Sequence, residues 1–261
     1  MLVLLPPSEG KATAARGRPL ALDGLSLPAL TGARAAVLDE LAQLCEGDED
    51  KAADVLGLSA GLRGEIAKNA GLRTAPALPA GELYTGVLYD ALGLATLEPA
   101  ALRRARQSLL VFSGLWGALR LTDRVPSYRC SMGVRLPGAG GLAAYWRPHL
   151  EAALPEAAGG GLVLDLRSSA YAAAWKPGGD LARRTATVRV LQVAVVDGVE
   201  KRTVVSHFNK ATKGRLVRAL LTSGARPKTP AALAAALRDL DFTVEEQPGN
   251  GRLDVLVHEL H

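Results

Sequence analysis

Three times this chain runs through a short, almost wholly apolar stretch and then stops abruptly in proline or small polar residues. Leu2–Leu5 gives way to Pro6-Pro7-Ser8, Leu109–Phe112 to Ser113-Gly114, and Leu162–Leu166 to Arg167-Ser168. Runs of four or five branched residues that barely alternate with polar ones suit strands buried on both faces. Both faces of a sheet are covered only when helices pack on them, so these runs point to an α/β arrangement. The intervening sequence supplies the helices. Residues 29–45 place Leu30, Ala33, Val37, Leu38, Leu41 and Leu44 at helical spacing, and 97–107, 142–154, 209–221 and 230–240 also read as helices. Residues 187–196 read as a long strand, Asp197-Gly198 as a hairpin turn, and 203–206 as the return strand. Short strands at 242–246 and 253–260 close the chain. The expectation is a mixed α/β fold, one compact domain spanning residues 1–261. Its central mixed sheet holds 2–5, 109–112, 162–166, 187–196 and 203–206, flanked by helices.

With 261 residues and 48% of them hydrophobic, the chain can bury a substantial core. A net charge of +5 permits an anionic partner without requiring one. Cys45 and Cys130 are far apart and in no metal-ligand spacing, which fits free thiols in a reducing compartment. The apolar opening, Met1–Leu5, ends at Pro6 and is too short for a signal peptide or a membrane span. A cytoplasmic protein is expected, monomeric, away from membranes, with no metal and no cofactor.

The densest chemistry lies in Phe112–Leu136, FSGLWGALRLTDRVPSYRCSMGVRL. Leu115, Trp116, Leu119 and Leu121 read as one or two helical turns after the strand. Gly114 and Gly117 allow close backbone approach. Four arginines, Arg120, Arg124, Arg129 and Arg135, stand within sixteen residues. Guanidinium forks bind phosphate or carboxylate bidentately, so an anion site is expected from the combination, although each arginine by itself reads more readily as a surface ion pair. Ser8 and Lys11 follow the first strand in a tight turn that only outlines a phosphate loop, lacking the glycine spacing of a Walker motif. Lys210, Lys213 and Arg215 fall near a helix start, where the dipole disfavours cations unless an anion binds. Residues 51–69 read as two short helices around Gly57-Leu58-Ser59, a candidate helix-hairpin-helix.

Taken together, these blocks resemble the YaaA peroxide-stress family. The resemblance rests on Leu4–Lys11 (LLPPSEGK), Leu83–Gly86, Phe112–Arg120 with Asp123, Tyr128-Arg129, Met132–Arg135, Tyr145-Trp146, Ser168 with Tyr171, and Ser206–Gly214. It implies a cytoplasmic protein that limits oxidative DNA damage, with a mixed α/β fold, a helix-hairpin-helix element and a positively charged cleft for double-stranded DNA. The sequence holds no haem-ligand signature and no cysteine in a peroxidatic context, so any protection against peroxide is indirect.

Two functions compete. In the first, Ser8, Lys11, Thr85, Ser113, Arg120, Tyr128, Arg129, Arg135, Ser168, Lys210 and Lys213 bind DNA or another anion. In the second, the same polar groups at strand ends form the pocket of an enzyme acting on a nucleotide-like anion, with Asp123 or His207 as general base. A basic cleft open to a polymer favours the first, and a deep closed pocket the second.

Overall fold

The computed structural model describes residues 1–196, 199–204, 206–249 and 251–258, with backbone only at 195–196, 206–208 and 258. Its strands in chain order are β1 (Leu2–Leu5), β2 (Leu78–Pro79), β3 (Leu109–Ser113), β4 (Gly117–Arg120), β5 (Arg124–Val125), β6 (Arg135–Leu136), β7 (Gly140–Gly141), β8 (Val163–Asp165), β9 (Thr185–Val196), β10 (Val199–Thr203), β11 (Thr243–Gln247) and β12 (Arg252–His258). The helices are α1 (Thr31–Glu46), α2 (Glu49–Leu56), α3 (Gly64–Ala70), α4 (Ala80–Leu83), α5 (Val87–Leu92), α6 (Pro99–Ser108), α7 (Leu142–Ala158), α8 (Ser169–Ala172), α9 (Gly179–Arg183), α10 (Ser206–Ser223) and α11 (Pro230–Arg238).

An eight-stranded mixed sheet runs in the order β11-β12-β9-β8-β1-β3-β4, with β10 paired to β9. Its five middle strands are parallel: β12 with β9, β9 with β8, β8 with β1, and β1 with β3. Every residue of β1 and β3 is buried, as their unbroken apolar content requires. The helices cover both faces, and one continuous apolar cluster joins them to the sheet. The mixed α/β fold expected from the sequence is therefore the fold observed. Strands at 2–5 and 109–112 fall where the apolar runs place them, with Ser113 added to the second.

Two local readings are corrected. Residues 115–121 do not make helical turns. Ser113 Oγ accepts hydrogen bonds from Leu115 N (3.2 Å) and Trp116 N (2.9 Å), closing a tight turn. The chain then reverses as β4, antiparallel to β3, with Ser113 opposite Gly117. Gly117 sits at φ +70°, and a side chain there would run into the Trp146 ring. Gly114 is equally constrained: a Cβ would lie 2.6 Å from the Cys130 carbonyl. The close approach expected of both glycines is real.

The second correction concerns the return strand. β10 covers Val199–Thr203 rather than 203–206, and α10 starts at Ser206 rather than Asn209. The proposed turn residues Asp197-Gly198 lie outside the described residues. β9 extends beyond its last pairing with β8 (Thr187 with Asp165), and β10 comes back along that extension. This return brings the start of α10 to the carboxyl edge of the parallel strands. Gly214 lets α10 press onto α5, since a Cβ there would meet the Leu88 carbonyl at 2.2 Å.

Candidate functional site

β1, β3 and β8 are parallel neighbours, so the segments leaving them emerge on one side, where open α/β sheets bind ligands. A cavity of about 640 Å³ lies there. Ser8 and Glu9 after β1, Thr85 and Tyr89 before and within α5, Arg167, Ser168 and Tyr171 after β8, and Asn209, Lys210 and Lys213 of α10 line it. The turn after β1 is tied down at both ends. Ser8 Oγ accepts from Thr85 N at 3.1 Å and donates to Gly10 O at 2.5 Å. Lys213 Nζ donates to Leu166 O at 3.2 Å, and burial lowers its pKa. Lys210 is exposed.

Lys11 stands behind this wall. Its Nζ donates to the Ser8 carbonyl at 2.9 Å and lies 4.6 Å from the Tyr128 ring centroid and 5.8 Å from that of Tyr84. Burial brings its pKa down to about 8, with Arg129 adding to the shift and Glu9 opposing it. Beneath it runs a buried hydroxyl chain, Ser113 Oγ to Tyr128 OH at 2.6 Å and Tyr128 OH to Tyr84 OH at 2.9 Å. Two backbone N–H groups occupy the acceptor sites of Ser113 Oγ, so that hydroxyl donates to Tyr128. Burial pushes both tyrosine pKa values up, so both phenols stay neutral.

Arg129 sits at the rim. Asn69, fully buried, clasps its backbone, donating to Arg129 O at 2.8 Å and accepting from Arg129 N at 2.9 Å. The guanidinium pairs with the Glu9 carboxylate at 2.8 Å. On the opposite wall Arg167 is committed to a buried pair with Asp165 (2.6 Å), donates to the Tyr171 and Trp175 carbonyls, and stacks over the Phe112 ring at 4.3 Å.

The expected site residues therefore divide. Ser8, Thr85, Ser168, Lys210 and Lys213 line one cavity, while Lys11 and Arg129 do not line it but contact Ser8 and Glu9 of its wall, and Ser113 and Tyr128 are buried beneath Lys11. Arg120, Asp123 and Arg135 do not join them. Because β4 runs back along β3, Arg120 ends level with Leu110, and its Nη1 donates to Gln107 O at 2.8 Å. Asp123 is buried and accepts from Ser26 N, Ser26 Oγ and Arg120 N, which leaves its carboxylate structural rather than poised as a base. Arg135 is exposed on the separate β6–β7 pair. The His207 side chain lies outside the described residues. Sequence reasoning passed over Arg167 and Asn69. For Arg167 a signal was available, an arginine directly after a buried strand. Asn69 carried none, since nothing in its neighbourhood sets it apart from other asparagines in helices.

Among the described residues no group of three or more His, Cys, Asp or Glu is placed to hold a metal ion. Among them, too, no helix is long and apolar enough to cross a membrane. α2 and α3 stand where two short helices were expected, joined through Gly57 in the left-handed region. Arg63, just before α3, pairs with Asp50 at 2.6 Å and with Glu49 at 3.6 Å.

Residues 1–247 match the family model described as peroxide stress protein YaaA. The chain belongs to the YaaA family. A UPF0246 protein of Streptomyces coelicolor is 67% identical over 266 residues, covering 100% of both chains. UPF0246 proteins of Corynebacterium efficiens (42% identical) and Corynebacterium glutamicum strain R (39%) each align with 98% of this chain and 100% of their own. The YaaA match takes in all four segments that line the cavity: the turn after β1, the Thr85–Tyr89 stretch, the residues after β8 and the start of α10.

Proposed function

We propose that this YaaA-family chain acts in the cytoplasm, as a monomer, in peroxide-stress protection by holding the phosphate backbone of double-stranded DNA at the carboxyl-edge cleft. One observation carries the reading. Lys210 and Lys213 line the same cavity as Ser8, Thr85 and Ser168, with Lys11 and Arg129 beside it, while the nearby carboxylates are already engaged, Glu9 by Arg129 and Asp165 by Arg167. Like charges gathered from separate segments repel one another, and a phosphate relieves that repulsion. The contacts are to backbone rather than base edges, so affinity depends on salt and little on sequence. The α2–α3 segment is secondary in this reading, because none of its residues lines the cavity. Protection is indirect. Both thiols are buried, and burial pushes the Cys130 pKa up to about 12 and raises that of Cys45, so neither supplies the thiolate that reacts with peroxide.

A second reading, an enzyme acting on a nucleotide-like anion, draws on the Lys11 amine and the walled shape of the cavity. Titrating a labelled duplex and ATP against the parent, Arg129→Lys and Lys210→Ala separates the two. The DNA reading expects both variants to weaken duplex binding, the first because the planar fork is lost despite retained charge. If both variants bind both ligands as the parent does, the cleft is not the site. If ATP binding falls while duplex binding survives, the enzyme reading takes its place.

A further inference from the structure

Most polar groups of the cavity wall already have partners within the chain. Ser8 Oγ is held between Thr85 N and Gly10 O, Tyr89 OH donates to Pro6 O at 2.7 Å, and Lys213 Nζ donates to Leu166 O. Glu9 and Arg167 are ion-paired. Asn209 is different. It lines the cavity from the start of α10, and its Oδ1 is buried and accepts no hydrogen bond. Among the described residues that line the cavity, no other side-chain oxygen or nitrogen is both buried and without a partner. Lys213, one turn further along the same face of α10, is within the usual reach of such a pair but turns to Leu166 O instead. A buried acceptor left unpaired has lost its hydration and gained nothing in exchange, so native chains keep few of them.

A DNA backbone does not supply the missing donor. Within a strand, phosphate and deoxyribose carry no N–H or O–H, so a phosphate held at Lys210 leaves Asn209 as it is. A nucleobase does carry one. Each base sets an N–H donor beside an acceptor in one plane, and the planar amide, with its C=O and NH2 side by side, matches that pair. The space is also right. About 640 Å³ falls in the range that encloses a small organic ligand, enough for one nucleotide and far too little for a duplex. Lys210, the next residue, lines the same cavity, so one turn of α10 offers a cation for the phosphate and an amide for the base. We infer that the cavity takes a single nucleotide with its base, and that Asn209 reads the base edge. The inference rests on the anion-binding reading of the cleft and adds a base to a site that otherwise needs only phosphate. The nucleotide comes from one of two sources, a free mononucleotide or an unpaired nucleotide swung out of a strand.

The test titrates the whole protein with the four deoxynucleoside 5′-monophosphates, with 2-deoxyribose 5-phosphate, with a fully paired duplex and with the same duplex carrying one unpaired base. The parent should bind at least one mononucleotide roughly tenfold tighter than the sugar phosphate that lacks a base. Asn209→Ala should lose that difference, while Lys210→Ala weakens both ligands and keeps it. Thermal melting separates a ligand contact from a structural one. Removing an acceptor that serves no internal bond should leave Asn209→Ala melting at or above the parent. Equal affinity with and without the base, a base preference retained by Asn209→Ala, or a variant that melts well below the parent overturns the inference. A preference for the unpaired-base duplex that Asn209→Ala loses identifies the strand as the source. Discrimination among the small ligands with no difference between the duplexes identifies the free nucleotide. Binding of the paired duplex with no effect of any base ends this inference and leaves the DNA reading standing. Base-dependent mononucleotide binding without duplex binding keeps the inference and ends the DNA reading.

Discussion

Asp123 shows how a loop carboxylate is fixed by what surrounds it. Both oxygens are spent on the Ser26 backbone and hydroxyl and on Arg120 N, at 2.7–2.9 Å. Nearby, Arg34 is fully buried and donates to the Ser26, Trp116 and Ala118 carbonyls; Asp123 supports its charge there against desolvation. Asp123→Ala removes the acceptor and leaves that guanidinium less compensated, so urea denaturation should show a loss of roughly 3 kcal/mol. Duplex affinity of the folded variant should stay unchanged, and a stable variant with lost function would instead restore Asp123 as a working base. Lys11 makes a prediction of opposite character. Its folded pKa, about 8, lies below the unfolded value near 10.5, so the unfolded chain binds more protons between those pH values. Its titration therefore penalises folding fully below pH 8, and the penalty lifts as pH rises toward 10.5. Relative to Lys11→Met, the parent should gain stability across that window. A pH-independent difference would mean the amine is not desolvated. At this scale the gathering of Ser8, Thr85, Ser168 and Lys210 around one cavity was legible because each sits at a strand exit or helix start. Arg120, Asp123 and Arg135 were not, because the direction of a polar side chain depends on the turn that carries it.

At the scale of elements, apolar runs mark buried strands wherever they are continuous, and β1 and β3 lie where those runs predict. The β3–β4 hairpin was illegible because its turn is closed by a side chain, Ser113, and its return strand is as apolar as a helix would be. Gly214 is the tightest packing point among the elements that carry the cleft. A methyl group there meets the Leu88 carbonyl at 2.2 Å and the Ala91 Cβ at 2.9 Å. Backbone cannot yield as a flexible side chain does, so Gly214→Ala should push α10 off α5 and cost roughly 1–3 kcal/mol in thermal or chemical melts. Lys210 and Lys213 ride on α10, and duplex affinity of the folded variant should fall with the helix displacement. Parent-like stability would show that the α10–α5 contact is looser than these distances.

For the molecule as a whole, the fold class was readable because it needs only the pattern of runs. The convergence of the site was readable only on the condition that these strands are parallel neighbours, because it depends on strand order. β8 lies on one side of β1 and β3 on the other, although β8 comes last of the three in sequence. Only that order sets the turn after β1 between the exits of the other two. In the function proposed above, this convergence gathers cations for phosphate. That claim is tested most directly by the slope of log affinity against log salt for a plain duplex, parent against Lys210→Ala. Three phosphate contacts from Arg129, Lys210 and Lys213 give a parent slope of about −3, and the variant slope should be shallower by about 1. A parent that binds without salt dependence, or a variant whose slope matches the parent's, would contradict the account.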